Sequence, residues 1–205
     1  MAIALDTTAD FSTTASGATF SHTCTGENLI LLVSLNMIPT NDCEGVSVQY
    51  GGTPLTLLGV AQTEDKSRTE LWSMIGPPTG QHDVEITMTT STEILVVSAS
   101  YTGIAQTNTV YNIRSGSGKM VDSLGIKSFS KVGGIAIGNG VVDNPNSHVT
   151  TLYGTQVRDW DYTGNNLRNE AISAQLPFDN DNIAVPNTLT EKANYAIIVV
   201  GLEGA

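Results

Sequence analysis

Short apolar runs and strict alternation of apolar with polar residues dominate the chain, and Gly, Pro, Asn and Asp separate them. This pattern predicts strands over residues 18–22, 29–36, 46–50, 53–62, 68–75, 82–87, 94–101, 109–113, 134–138, 155–161, 168–174 and 195–202. They recur about every 12 residues with turn signals between, the rhythm of an all-β sandwich. Gly51-Gly52 predicts a two-residue hairpin turn, Gly76-Pro77-Pro78-Thr79-Gly80 a hard stop, and Gly164-Asn165-Asn166 a second hairpin turn. Residues 29–35 and 94–99 do not alternate cleanly, as expected of strands covered on both faces or lying centrally in a packed sheet. Elsewhere Arg68 and Glu70 face one way and Thr69 and Leu71 the other, while Val84, Ile86 and Met88 form an inward set. Helical periodicity is nearly absent, and only residues 139–148 leave room for a short turn or helix. Residues 115–132 are the loosest stretch. With no Gly/Ser-rich or Pro-rich linker, the expectation is one all-β antiparallel sandwich, jelly-roll-like, over residues 18–205. Residues 1–17, Thr-rich and without strong periodicity, read either as an N-terminal arm that orders on contact or as a first strand.

Composition narrows the function classes. Of 205 residues, 40% are hydrophobic and only 14% charged, well below the ~25% charge of ordinary soluble domains. Disorder, which combines low hydrophobicity with high charge, is excluded. Nine Lys and Arg against twenty Asp and Glu leave a net charge of −11. No basic run stands ready to neutralise phosphates, so nucleic acid and anionic membrane surfaces are excluded as partners. The longest apolar run, residues 29–35, is broken by Ser34 and falls far short of the ~20 residues of a spanning helix. The opening residues show no positive n-region and no apolar h-region, so no signal peptide is expected and synthesis in a cytoplasm is.

Few residues suggest chemistry. Cys24 and Cys43 flank one predicted strand and so stand near its opposite ends, which favours two free thiols over a disulfide. The run from Arg114 to Met120 fails as a phosphate loop, because Ile113 replaces the first Gly and Met120 the final Ser or Thr; it reads as a flexible turn. His22, His82 and His148 sit on separate elements without metal-ligand spacing, and are expected at the surface or rim. No G-x-S-x-G occurs, and in a serine-rich chain a Ser/His/Asp grouping carries no weight. Asp159 and Asp161 share a strand face that would suit a hard cation or a glycosidase, though a solvated edge is the plainer reading. Asp179 and Asp181 lie in an oxygen-rich loop without the Gly and distal Glu of an EF-hand, which favours an Asx-rich turn. Trp72 is expected in the core. Trp160 and Tyr162 share the face opposite the Asp159 pair, with Asn165 and Asn166 just beyond. That set is a candidate sugar-stacking platform, although a sandwich core uses the same pattern. No catalytic residue, metal or cofactor is expected.

Several stretches together match a known pattern. They are Asn28-Leu29-Ile30-Leu31-Leu32-Val33-Ser34-Leu35, Val46-Ser47-Val48-Gln49-Tyr50-Gly51-Gly52-Thr53-Pro54-Leu55-Thr56, and Arg68-Thr69-Glu70-Leu71-Trp72 with its Gly-Pro-Pro-Thr-Gly stop. Ser98-Ala99-Ser100-Tyr101-Thr102-Gly103-Ile104-Ala105-Gln106-Thr107 and the closing Ala193-Asn194-Tyr195-Ala196-Ile197-Ile198-Val199-Val200-Gly201-Leu202 complete it. The chain thereby resembles a jelly-roll-like β-sandwich module of tailed-phage structural proteins and bacterial surface proteins. The likeness is strong over residues 18–107, recurs at 193–202 and is vague between. It implies a non-enzymatic virion protein, a capsid decoration or cement protein on the outer surface of a tailed-phage head. The implied partners are the major capsid protein or other virion proteins, with self-association into a dimer or trimer. In bacteria such modules sit inside long secreted chains, so a lone module without a signal peptide points to a virion. The alternative is a carbohydrate-binding or adhesion module of a phage tail or bacterial surface, using Trp160, Tyr162, Asn165 and Asn166. The module's motifs build the sandwich and carry no active site.

Overall fold

A computed structural model describes residues 2–38, 45–64, 67–124, 127–128, 134–142, 155–161, 168–174, 183–184 and 187–205. The described residues form antiparallel β-structure without a helix. In chain order the strands are β1 (Ala4–Cys24), β2 (Ile30–Ile38), β3 (Ser47–Tyr50), β4 (Thr53–Pro54), β5 (Thr56–Gln62), β6 (Arg68–Ile75) and β7 (Gly80–Thr102). They continue with β8 (Val110–Leu124), β9 (Lys127–Ser128), β10 (Ile135–Val142), β11 (Thr155–Asp161), β12 (Arg168–Ala174), β13 (Ile183–Ala184) and β14 (Asn187–Leu202).

A bent ribbon organises the first half. β1 runs antiparallel to β7 from the pair Ala4↔Thr102 to the pair Cys24↔Gly80. Its register breaks between Ala15 and Gly17, where residues 88–91 of β7 stand opposite the single Ser16. A bulge of this kind bends a ribbon sharply. Gly17 permits the corner, because a Cβ there would lie 2.5 Å from the Ile86 carbonyl oxygen. Beyond the corner the two halves fold face to face, and Phe11 of one half stacks on Phe20 of the other with centroids 6.0 Å apart. The half containing residues 17–24 extends through β3 and β4. The half containing residues 4–15 extends through β2, β6 and β5.

Three layers result. In the middle sheet, Leu31, Val33, Leu35 and Met37 of β2, Trp72 and Met74 of β6, and Ile94 and Val96 of β7 pack on the folded-over Ala18, Val48, Tyr50, Val84 and Ile86. Its opposite face, with Ile30, Leu32, Leu71 and Tyr101, packs on Ile135 and Ile137 of β10 and on Ala196, Ile198, Val200 and Leu202 of β14. The third layer is a five-stranded sheet in the order β11-β12-β10-β14-β8, and β9 pairs separately with β13. The two-sided cover of the middle sheet is why residues 29–35 and 94–99 lack alternation: both faces are covered, so hydrophobic burial selects apolar residues at all positions but Ser34 and Ser98.

Of the two readings of residues 1–17, the first strand is the one seen: residues 4–17 are the first part of a strand bonded to β7. Four other expectations about the elements need correction. The predicted strands over 82–87 and 94–101 are one, β7, whose polar middle at Thr89-Thr90-Ser91 hid the continuity. Residues 53–62 are instead divided at Leu55. Of the loose stretch 115–132, residues 115–124 belong to β8 together with the supposed turn at Arg114–Met120, because pairing with the apolar β14 overrides local Gly and Ser preferences. Of the possible helix over 139–148, residues 139–142 are strand β10 and the rest lie outside the described residues. The hairpin turn at Gly51-Gly52 is as predicted, with φ of 54° and 77°, the doubly left-handed turn only such residues adopt readily. Residues 164–166 lie outside the described residues, between strands that pair from Asp161↔Arg168 onward.

Candidate functional site

The most concentrated polar chemistry lies between the two folded halves of the β1–β7 ribbon. Ala18, Phe20, His22 and Cys24 alternate on the inward face of β1, so His22 is 2% exposed rather than at the surface or rim. Its Nδ1 lies 2.9 Å from Ser98 Oγ, and its Nε2 lies 3.2 Å from both Ser100 Oγ and Thr7 Oγ1. The Thr7 hydroxyl donates to the Thr23 carbonyl, and the Ser100 hydroxyl donates to Asp6 Oδ2 at 2.7 Å. Asp6 also accepts the Thr25 backbone N–H at 3.0 Å and the Thr25 hydroxyl. Both hydroxyls at Nε2 have thus committed their protons elsewhere. Nε2 must therefore carry the imidazole proton, and Nδ1 accepts from Ser98.

Tyr50 closes the cage from β3. Its hydroxyl donates to the His22 and Gly80 carbonyls at 3.2 Å each, and its ring meets His22 edge-on at 6.1 Å. Burial lowers the His22 pKa to about 4 against the opposing pull of Asp6. The Asp6 carboxyl is held below its usual value, because its hydrogen bonds from Thr25 and Ser100 outweigh burial. Burial raises both the Cys24 thiol and the Tyr50 phenol. The Cys24 thiol is buried and free; Cys43 lies outside the described residues.

Serine, histidine and aspartate do converge here, yet their order is not that of a nucleophilic triad. The carboxylate holds a serine instead of the imidazole, and the base is sealed from solvent, whereas acyl transfer needs an oriented base beside an accessible nucleophile. The cage holds two layers together. A second buried polar group sits on β6, where Glu70, 1% exposed, accepts Arg68 Nε and Nη2 at 2.8 and 2.6 Å and Trp72 Nε1 at 2.9 Å. A groove of about 540 Å³ opens where β5, the end of β6 and the start of β8 meet, lined by Thr56, Leu58, Ser73, Ile75, Asn108 and Val110 among others. Its lining carries no ionisable side chain. Among the described residues no three His, Cys, Asp or Glu approach closely enough to hold a metal ion.

Of the residues singled out from sequence, His22 and Cys24 lie at this centre. Trp160 stands in β11 opposite Asn169 in the backbone register, flanked by Asp159 and Asp161; the side chains of these three lie outside the described ones. Tyr162, Asn165, Asn166, His148, Asp179 and Asp181 lie wholly outside the described residues. His82 is half-buried at the ribbon's end, its Nε2 3.3 Å from the Thr79 carbonyl oxygen and its ring 5.4 Å from that of Tyr50. Trp72 lies in the core as expected.

The feature turned outward is an edge. β1 pairs with β7 along one side, and no described strand pairs with its other side. That edge is 21 residues long and carries no Lys, Arg or Pro, the residues that usually blunt such edges. Two uninterrupted stretches, residues 8–15 and 17–24, flank the corner. Charge is distributed unevenly as well: residues 1–113 hold eleven Asp and Glu against only Lys66 and Arg68. Sequence reasoning missed the edge because its Thr and Ser residues look like a solvated terminus. Compared with protein-family models, curated proteins and solved structures, the chain matches none.

Proposed function

We propose that the chain is a non-enzymatic structural protein of a virus particle, decorating the outer surface of a tailed-phage head. The observation that carries this reading is the long edge of β1, with which no described strand pairs. An unpaired edge offers a row of backbone N–H and C=O groups to which a partner's extended segment adds as a further strand. The acidic sheet beside it favours a partner surface rich in Lys and Arg, and repels DNA. The partner is the major capsid protein or another virion protein, and self-association into a dimer or trimer would multiply the contacts. Binding that exists only in the assembled particle stabilises that state by linkage. The resemblance to phage sandwich modules, jelly-roll-like in character, supplies the particle; the edge supplies the means of attachment.

Quantitative mass spectrometry of purified particles from the phage that encodes the chain is the test. The chain is expected in a fixed stoichiometric ratio to the major capsid protein. Its absence from particles that are otherwise complete overturns the proposal.

A further inference from the structure

His22 and its hydroxyl cage join the two ends of the β1 edge. Thr7 bridges from Nε2 of His22 to the Thr23 carbonyl, and Asp6 holds Thr25. Residues 6–7 are therefore tied to residues 22–25 through one imidazole and its partners. We propose that His22 is an acid-responsive latch at the end of the β1 edge, whose protonation releases residues 4–8 from residues 22–25 and adds the Thr23 carbonyl and Thr25 N–H, otherwise held by Thr7 and Asp6, to the edge open to a partner strand. The latch rests on the reading of β1 as the docking edge.

The hydrogen-bond pattern sets how the latch responds. A second proton must enter at Nδ1, because Nε2 is already the donor. Ser98 Oγ, 2.9 Å away, then changes from donor to acceptor, and its own proton turns to the Ala9 carbonyl oxygen at 3.3 Å. Every hydrogen keeps an acceptor, so the imidazolium is allowed in the closed state. What opposes it is burial of the charge, since among the described residues the one carboxylate facing the cage is Asp6, reached through Ser100. The other ionisable groups around the imidazole are Cys24 of β1 and Tyr50 of β3, whose protonated, uncharged forms burial favours, with His82 of β7 behind Tyr50. β2 brings only apolar side chains to this core. Opening one edge admits water to the cation without unfolding the middle sheet, the kind of local release that buried charge drives. With His22 near 4 when enclosed and near 6.5 when solvated, the opening equilibrium shifts about 100-fold between pH 7 and pH 4.

Amide hydrogen exchange and imidazole NMR on the full chain test this without any partner. The His22 ring is expected to be protonated at Nε2 at pH 7 and to titrate near pH 4. Protection factors at residues 5–8 and 22–25 should fall about 100-fold from pH 7 to pH 4, while those of β2 hold. His22→Gln should abolish that local pH dependence. Should His22→Gln not fold, Asp6→Asn, which removes the countercharge, should move the His22 midpoint to lower pH. A His22 midpoint near 6.5, an equal acid loss in His22→Gln, a loss shared by β2, or an unmoved midpoint in Asp6→Asn overturns the latch. These readouts are independent of particle composition, so failure of the latch and failure of the decoration reading are separable.

Discussion

Arg68→Ala gives a sharp prediction, because the structure isolates what the guanidinium does. Glu70 is 1% exposed, and one carboxylate oxygen takes two Arg68 N–H groups at 2.8 and 2.6 Å while the other takes Trp72 Nε1. Truncating Arg68 leaves a buried carboxylate with a single neutral donor. Breaking a buried pair from one side costs about 3–5 kcal/mol, and at ~2–4 °C per kcal/mol for a chain of this size that is on the order of 10 °C in Tm. The double variant Arg68→Met/Glu70→Met replaces both partners with apolar groups in an apolar core, and should recover to within about 1 kcal/mol of the parent. Urea unfolding at pH 7, with m-values compared to confirm one transition, measures both. A loss under 1 kcal/mol for Arg68→Ala would refute the reasoning, since it would mean that Glu70 is protonated or reached by water.

Stability should depend on pH on both sides of neutrality. His22 is lowered on folding, so its contribution is complete above about pH 6.5 and is lost as pH falls toward 4, by up to roughly 3 kcal/mol; urea midpoints through that range should slope down in the parent and flatten in His22→Gln. Cys24 is raised, so the unfolded chain loses its thiol proton first and stability should decline above about pH 9, a decline that Cys24→Ala should lessen. Deleting residues 1–17 removes two thirds of β1 together with Phe11, and should lower the thermal midpoint by more than 10 °C; an unchanged midpoint would return the segment to the status of an arm. Thr14→Lys and Thr19→Lys, both at exposed positions on β1, should weaken particle docking at least tenfold while leaving the free protein's midpoint within about 2 °C.

Where burial wrote itself into residue type, the sequence was readable. β6, β11 and β12 have the expected bounds, Gly51-Gly52 turns a hairpin, and the apolar runs at 29–35 and 94–99 announced a sheet covered twice. Strands made by pairing rather than burial were hidden. Residues 4–17 and 88–93 are Thr- and Ser-rich and owe their extension to β1–β7 hydrogen bonds, which leave no apolar period. The Gly and Ser residues of 114–118 are strand because they pair with β14, while they themselves stay exposed or half-buried. The cage was half legible. Ala18, Phe20, His22 and Cys24 already share one strand face, which places His22 inward, but Ser98 and Ser100, 76 and 78 residues away in sequence, and Asp6 reach it only because the corner folds the ribbon over. That long-range closure is invisible to local pattern.

The central claim is that the β1 edge is what the molecule offers a partner, and amide hydrogen exchange on the chain bound to intact particles tests it most directly. Docking by strand addition predicts that amides within residues 8–15 or 17–24 exchange at least tenfold more slowly on the particle than in the free chain. Unchanged exchange along β1, with new protection appearing elsewhere on the molecule, would contradict it.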